Sequence, residues 1–443
     1  MLKAYTNVEL KRYKDIVAFK SMDNEVIAFH SKNLEVAEIS DELWQEMPKA
    51  QFSTADQNEN VFYSDNFKYL QMWSAETNPD VLTKQVAFKV NSLTLNVTQI
   101  CNLQCTYCAA GGDGTFGNPQ SKISIEKTLP QLDYFLKKIN SQESFHITFL
   151  GGEPLLYKKG IELVADHVYS VLSAKNAQAD FSIVTNGVLV DDEALRIFKK
   201  YKFNVTVSID GPEDINEKFR PSKNKTESTK KTVEAIKNLS VIKDQIGRIT
   251  LHGVFHKENL ELFKAYEFYT QFDADTYDFT YAVDNSDEES SLKFINQMQN
   301  VAAKAWQIGK EKELLKIGLF QQYFSALDQQ MRIENHCAAG KSYLMIDAKN
   351  QIFTCPWDVN SIEEKVGHGL DIDSNKINKY AENLIEKNKC QDCWARFLCG
   401  GGCMFAHKTK TGNKNIKDPI YCMRTRMLLA LAIQYYFLSR QQN

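Results

Sequence analysis

The sequence has no apolar run long enough to cross a bilayer. The segment MLLALAIQYYFL (427–438) is short and ends in Ser-Arg-Gln-Gln, so it reads as a buried helix. The amino terminus, MLKAYTNVELKRYKD, lacks the apolar core of an export signal, and the cytoplasm is the expected compartment. Neither sign of charge is in excess: 53 basic residues face 56 acidic ones, for a net charge of -3. That balance predicts neither nucleic acid nor a membrane surface as a partner. There is no low-complexity tract. Histidine is absent around the first group of cysteines, where His146 is the nearest in sequence. A zinc site normally needs four protein ligands, or three with some histidine, so this absence weighs against zinc there.

What is present is thiol. The chain has 443 residues, too many for one compact core, and two or three domains are expected. Its ten cysteines are grouped: three at 101–108, two at 337 and 355, and five between 390 and 422. In a reducing compartment grouped thiols read as metal ligands rather than disulfides.

The pattern along the chain is α/β. Residues 1–50 carry three short strand-like runs (15–20, 25–30, 34–39), a β-meander, with a helix start at Ser40-Asp41-Glu42. Residues 51–90 read as a linker with some helix. From 92 strands and helices alternate: strands at 92–98, 146–150, 180–185, 204–209, 248–255 and 276–282, with helices at 124–139, 161–173, 192–201 and 226–239 between them. Such repeats build a parallel sheet, either open and doubly wound or an incomplete barrel. Residues 291–331 read as helical. The remainder is rich in cysteine and loops, with a hairpin expected at 343–354.

Directly after the first strand of the alternating region comes CNLQCTYC. Cys101, Cys105 and Cys108 stand on a loop at a strand's carboxyl end, where α/β folds keep their sites. Three thiolates bind three irons of a 4Fe-4S cubane and leave one iron for a small molecule, whereas closed electron carriers supply four. This spacing, with an aromatic before the last cysteine, resembles the signature of the radical S-adenosylmethionine superfamily. The resemblance implies that the amino and carboxylate groups of S-adenosylmethionine chelate the open iron. It also implies that one electron cleaves the sulfonium to a 5′-deoxyadenosyl radical that takes hydrogen from substrate. Further matches stand at successive strand ends. Gly151-Gly152-Glu153-Pro154 is similar to the motif that binds the methionine amino group, its glycines suited to close approach of a ligand. Thr185-Asn186-Gly187 ends the third strand. Ser208-Ile209-Asp210-Gly211-Pro212 ends the fourth, where the family contacts ribose or carboxylate, and Arg220 would pair with the carboxylate. Val254 and Tyr107 would lie against adenine. The implied fold is a partial (β/α)6 TIM-type barrel.

The carboxyl-terminal cysteines repeat this logic. CQDCWARFLCGGGC, with Cys337 and Cys355 before it and Cys422 after it, resembles the SPASM extension of peptide- and protein-modifying radical enzymes. The resemblance implies two auxiliary clusters: one on Cys390, Cys393, Cys399 and Cys422, the other on Cys337, Cys355 and Cys403. The second would have an open iron or a non-cysteine ligand such as His336, Asp347 or Asp358. Asn350 stands where the family usually has glycine, and asparagine tolerates the same left-handed turn. Three 4Fe-4S clusters and S-adenosylmethionine are therefore the expected cofactors.

An open auxiliary iron would bind and deprotonate a substrate thiol. The expected reaction is a Cys thioether crosslink in a ribosomally made precursor peptide or protein. CAAGGDGTFG (108–117) also resembles thioether-forming maturases of sactipeptides, ranthipeptides and the quinohemoprotein amine dehydrogenase small subunit. C–C crosslinking, epimerisation and formylglycine formation in sulfatases are alternatives that need a general base, for which Asp210 and Asp358 are candidates. The meander and helix resemble a winged-helix-like leader-recognition element, where an exposed strand edge would pair with a leader peptide. The expected division is residues 1–85 for recognition, 90–290 for the barrel, 291–331 for a helical bridge and 332–443 for the SPASM domain. A flavodoxin or ferredoxin is the expected reductant.

Overall fold

The computed structural model describes residues 8–20, 25–52, 67–75, 88–108, 122–224, 227–283, 287–359 and 361–441. Five antiparallel strands form the amino-terminal sheet: β1 (Leu10–Tyr13), β2 (Ile16–Lys20), β3 (Val26–His30), β4 (Glu35–Ile39) and β5 (Lys49–Ala50), ordered β4-β3-β2-β1-β5. The expected meander is β2 to β4. Strand β1 is an addition, because Lys11 and Arg12 read as solvent-facing yet are 4% and 5% exposed. Lys11 Nζ donates to the carbonyls of Trp44 (2.7 Å) and Gln45 (3.2 Å). Those carbonyls lie at the carboxyl end of helix Asp41–Glu46, where acceptors are left over and a cation is favoured. Ser40 caps that helix as its sequence predicts, Oγ accepting from Leu43 N.

This sheet is buried on both faces, which is why β2 and β3 are almost wholly apolar. Ile16, Ala18, Val26 and Ala28 pack with Trp44, Phe67 and Leu70. Val17, Phe19, Ile27 and Phe29 join the main core, and Phe29 meets Trp394 edge-on with ring centroids 6.2 Å apart. Each fully buried Val, Ile or Phe contributes about 1.5–3 kcal/mol. Within the expected linker, Lys68–Ala75 is a helix; 53–66 and 76–87 lie outside the described residues.

The second sheet has ten strands. Six are parallel and neighbour one another in chain order: β6 (Ser92–Thr98), β7 (Ser144–Gly151), β8 (Gln178–Thr185), β9 (Asn204–Ser208), β10 (Ile249–Phe255) and β11 (Thr276–Tyr281). A doubly wound sheet reverses its order at a switch point, and this one does not. Helices Ile125–Leu136, Lys158–Ala174, Asp192–Tyr201, Ser228–Val241 and Leu262–Tyr269 connect the strands. Alternation assigns the faces. Phe145, Ile147 and Phe149 of β7 are buried with Val164, Val168 and Leu172 of the following helix. The opposite face is largely polar, with Thr148, Ser182, Thr206, Ser208 and His252.

The sheet continues beyond β6. Strand β12 (Tyr343–Ile346) pairs with it in parallel, from Tyr343↔Ser92 to Ile346↔Leu95. Antiparallel β13 (Gln351–Phe353), β14 (Lys365–His368) and β15 (Asp371–Ile372) follow. β12 and β13 are the expected hairpin. At its turn Asn350 has φ +60°. Asn350 Nδ2 donates to Thr128 Oγ1 (2.8 Å) and Gln131 Oε1 (3.0 Å). Gln131 Nε2 returns bonds to the carbonyls of Asn350 (3.2 Å) and Gly369 (2.8 Å). Asparagine thus provides the left-handed turn and also fastens it to helix Ile125–Leu136, which glycine cannot do. Helices Glu288–Leu314 and Gly318–Asp328 pack with the last helix, Pro419–Gln441. Among the described residues no helix is long and apolar enough to cross a membrane.

Candidate functional site

The carboxyl ends of β6 to β10 bring the first group of predicted residues together. The loop 101–108 is braced by the segment that carries Arg220. Gln104 N donates to Pro221 O (2.8 Å), Thr106 N to Phe219 O (2.9 Å) and Lys223 N to Asn102 O (3.2 Å). Cys101 Sγ accepts from Leu103 N (3.4 Å) and Asn186 Nδ2 (3.7 Å), while Asn186 Nδ2 also reaches Asn102 Oδ1 (2.8 Å). Burial pushes the Cys101 thiol up to about 12 and raises that of Cys105. A bare thiolate is therefore disfavoured in this loop, and a cationic metal centre reverses that preference by deprotonating its ligands. The donor set suits such a centre.

Gly151 and Gly152 were expected to admit a ligand. They lie against the end of β6 and the two residues that lead into the cysteine loop. A Cβ on Gly151, at φ +146°, would stand 2.2 Å from Thr98 O, and one on Gly152 would stand 2.3 Å from Ile100 O. Their backbone is tied there, Gly152 N donating to Thr98 O (2.7 Å) and Glu153 N to Ile100 O (2.9 Å). Glu153 is wholly buried. It accepts from Leu155 N (3.0 Å), Thr185 Oγ1 (2.8 Å) and Asn186 N (2.8 Å). Burial raises this carboxyl and the three donors oppose the rise. In this arrangement Glu153 is the post on which Thr185 and Asn186 hang.

Asp210, expected both at the cofactor and as a candidate base, is also wholly buried. Tyr107 OH donates to its Oδ2 and Val254 N to its Oδ1 (3.1 Å), and Arg220 Nη1 lies 3.8 Å from Oδ1. Arg220 Nη1 also donates to Tyr107 OH (2.7 Å). Burial raises the Asp210 carboxyl and Arg220 opposes it. With one bond to each oxygen, Asp210 ties β9, β10 and the cysteine loop together. Ser208 and Val254 are half-buried on the inner face, with Ser208 in register with His252.

Three residues here carried no sequence motif. Asn216 Oδ1 accepts from Asp210 N (3.0 Å), and its Nδ2 donates to Thr229 Oγ1 (2.9 Å). His256 packs on Tyr107, ring centroids 5.3 Å apart. His252 shares a hydrogen bond with Thr280 Oγ1 (3.0 Å), and burial with the nearby Arg220 lowers its pKa to about 4. The two-residue spacing of His252 and Val254 on a strand was the available signal.

The seven carboxyl-terminal cysteines fall into two groups. Cys390, Cys393, Cys399 and Cys422 lie within charge range of one another, as do Cys337, Cys355 and Cys403. Gly400, Gly401 and Gly402 all have positive φ, between 66° and 85°, and this turn sends Cys399 and Cys403 to different groups. Arginines surround Cys393. Arg426 Nη1 lies 3.9 Å from its Sγ, and Arg396 Nη1 donates to its carbonyl (3.0 Å). Arg396 Nη2 donates to Asp15 of the amino-terminal sheet (2.8 Å). Among the described residues no three His, Cys, Asp or Glu side chains converge on a site for a single metal ion. The resemblance noted for 108–117 falls largely on 109–121, outside the described residues.

The radical SAM superfamily pattern matches residues 95–268. The chain is similar to the radical SAM cyclopropyl synthase TigE of Paramaledivibacter caminithermalis, with 22% identity over 96% of both chains. It is similar to the cysteine-type anaerobic sulfatase-maturating enzyme of Clostridium novyi, with 25% identity over 73% of this chain and 89% of that one. Among solved structures it resembles native anSMEcpe with bound AdoMet and Kp18Cys peptide. There the TM-score is 0.64 at 18% identity, covering 80% of this chain and 99% of the other. That likeness is one of fold. With five strand ends converging on the three-cysteine loop, residues 95–268 are a radical SAM domain and the chain is a radical S-adenosylmethionine enzyme.

Proposed function

We propose that this enzyme modifies a ribosomally made peptide or protein and installs a Cys thioether crosslink. The observation that carries the reading is the unequal division of the carboxyl-terminal cysteines. Four stand together, while Cys337, Cys355 and Cys403 form a set of three. A three-thiol set leaves one iron of a cubane for another donor, and a substrate thiolate is the donor that thioether chemistry needs. In this reading Cys101, Cys105 and Cys108 hold the radical-generating cluster. Arg220, Asn186, Ser208 and Val254 line the S-adenosylmethionine site, with Tyr107 and Asp210 fixing Arg220 and Glu153 fixing Asn186. When bound, cluster and cofactor together supply a carbon-radical oxidant for a C–H bond. The two carboxyl-terminal groups hold auxiliary clusters, for three in all. The sequential strand order supports a partial (β/α)6 barrel over residues 90–290, with 332–443 as a SPASM domain joined through the 291–331 helices.

Recognition of a leader is assigned to residues 1–85. Support comes from β4, the edge strand, whose residues are half-buried or exposed while those of β1 to β3 are almost all buried. Similarity to a cysteine-type sulfatase-maturating enzyme favours a second reading, oxidation of a cysteine to formylglycine. One experiment separates them: anaerobic turnover with S-adenosylmethionine, a flavodoxin-type reductant and Cys-containing substrates, followed by mass spectrometry with and without thiol alkylation. Thioether formation removes two hydrogens and blocks alkylation. An aldehyde trapped by a hydrazine supports formylglycine instead and refutes the thioether. Deleting residues 1–85 is expected to abolish modification of full-length precursor, and unchanged turnover refutes the leader assignment.

A further inference from the structure

The non-cysteine donor beside Cys337, Cys355 and Cys403 has three candidates in the sequence, and their surroundings differ. One oxygen of Asp347 is held by its own hairpin, Oδ1 accepting from Lys349 N (2.9 Å) and Gln351 N (2.7 Å), and Asp347 is not among the charges that act on Cys355 and Cys403. The His336 ring turns toward the other cysteine group. Its Nδ1 lies 3.3 Å from Cys399 O and its Nε2 3.5 Å from Tyr421 OH. Asp358 stands apart from both. It closes the 3-10 turn Pro356–Asp358 that begins at Cys355, its N–H donating to Cys355 O (3.2 Å). Its carboxylate is within charge range of both Cys355 and Cys403.

The groups around Asp358 leave its oxygens available. Lys408 Nζ is 3.9 Å from Oδ1, too far for a hydrogen bond. That ammonium is committed to Glu364, whose Oε1 lies 2.9 Å away. Glu364 Oε2 in turn accepts from Lys414 (2.8 Å) and Tyr380 OH (2.9 Å). The cations near Asp358 are thus held by a neighbouring carboxylate. The Asp358 side chain is only 11% exposed, so water cannot solvate it freely, and with Lys408 shared with Glu364 a further cationic partner would stabilise its carboxylate. An iron atom is such a partner, and carboxylate oxygen is an accepted metal donor.

We infer that the Asp358 carboxylate ligates the fourth iron of the cluster held by Cys337, Cys355 and Cys403. This rests on the three-cysteine reading above and refines it: the iron is capped in the resting enzyme by an oxygen ligand. Oxygen is a weaker partner than sulfur for this soft centre, so an arriving substrate thiolate can replace it.

The test uses the full-length, anaerobically reconstituted chain with Cys101, Cys105 and Cys108 replaced by alanine, so that only the auxiliary sites report. Iron content, the EPR spectrum of the reduced clusters and their midpoint potentials are compared for the parent, Asp358→Cys, Asp358→Ala and Asp347→Ala. Expected are full iron in Asp358→Cys with altered g-values and a lower potential, since thiolate donates more charge than carboxylate. In Asp358→Ala one cluster is expected to bind added 13C-cyanide, seen as a hyperfine coupling, at a lower cyanide concentration than the parent needs. Asp347→Ala should match the parent. Parent-like spectra and potentials in both Asp358 variants overturn the assignment. Failure of the three-cysteine reading looks different: Cys355→Ala would then leave the iron content unchanged.

Discussion

Removing Asp210 should loosen the first site without touching a cysteine. The carboxylate is wholly buried, Arg220 is 7% exposed, and the two face each other at 3.8 Å. Asp210→Ala leaves that guanidinium charge uncompensated, which costs about 3–5 kcal/mol when one partner of a buried pair is lost. It also strips the acceptor from Val254 N, worth about 1–3 kcal/mol for an unsatisfied buried donor. The two losses share one carboxylate and do not add fully, so about 3–5 kcal/mol is expected overall. Asp210→Asn keeps an oxygen for Val254 N and loses only the charge, so it should cost less. The readout is hydrogen–deuterium exchange in the reconstituted chain, followed on β10 and the loop 101–108. A loss of about 3 kcal/mol speeds local opening roughly a hundredfold. Exchange in Asp210→Ala that stays within about twofold of the parent, the range of an ordinary surface substitution, refutes the linkage of strand ends through Asp210.

Two further outcomes follow from other sites. Burial would raise the Glu364 carboxyl, but Lys414 and Lys408 hold it at about 2, below the ordinary 4.5. Its stabilisation, about 3 kcal/mol, is present above pH 4.5 and lost as pH falls toward 2. The urea-midpoint difference between parent and Glu364→Gln should therefore close over that interval, and a constant difference counts against it. Asn350→Gly keeps the φ of +60° but loses the bonds to Thr128 and Gln131, so a loss of about 1–2 kcal/mol is expected in the same assay. A neutral or stabilising result means those bonds do not hold the hairpin.

The parallel strands were legible because each is a short apolar or alternating run, with glycine motifs closing β7, β8 and β9, and SLTLNVT matches β6 residue for residue. Strand β1 was not, because only tertiary acceptors such as Trp44 O make Lys11 a buried residue. The glycines of Gly151-Gly152 were legible as a close approach but not as an approach to what: the neighbour is Ile100 O, some fifty positions earlier in the chain. The clustering of cysteines along the chain could be read from spacing, and their division into two groups followed from the SPASM resemblance. Their surroundings could not be read from either, since Arg396 meets Asp15 from 381 residues away. The pairing of β12 with β6 was invisible for a related reason: register between distant strands is set by packing and not by local pattern.

That pairing fixes a length. Cys101 follows β6 by three residues and Cys355 follows β13 by two, and β12 hydrogen-bonds to both strands. The separation of Cys101 from Cys355 is therefore gauged by the rungs of a single continuous sheet, whose strands leading to the two cysteines run in opposite directions.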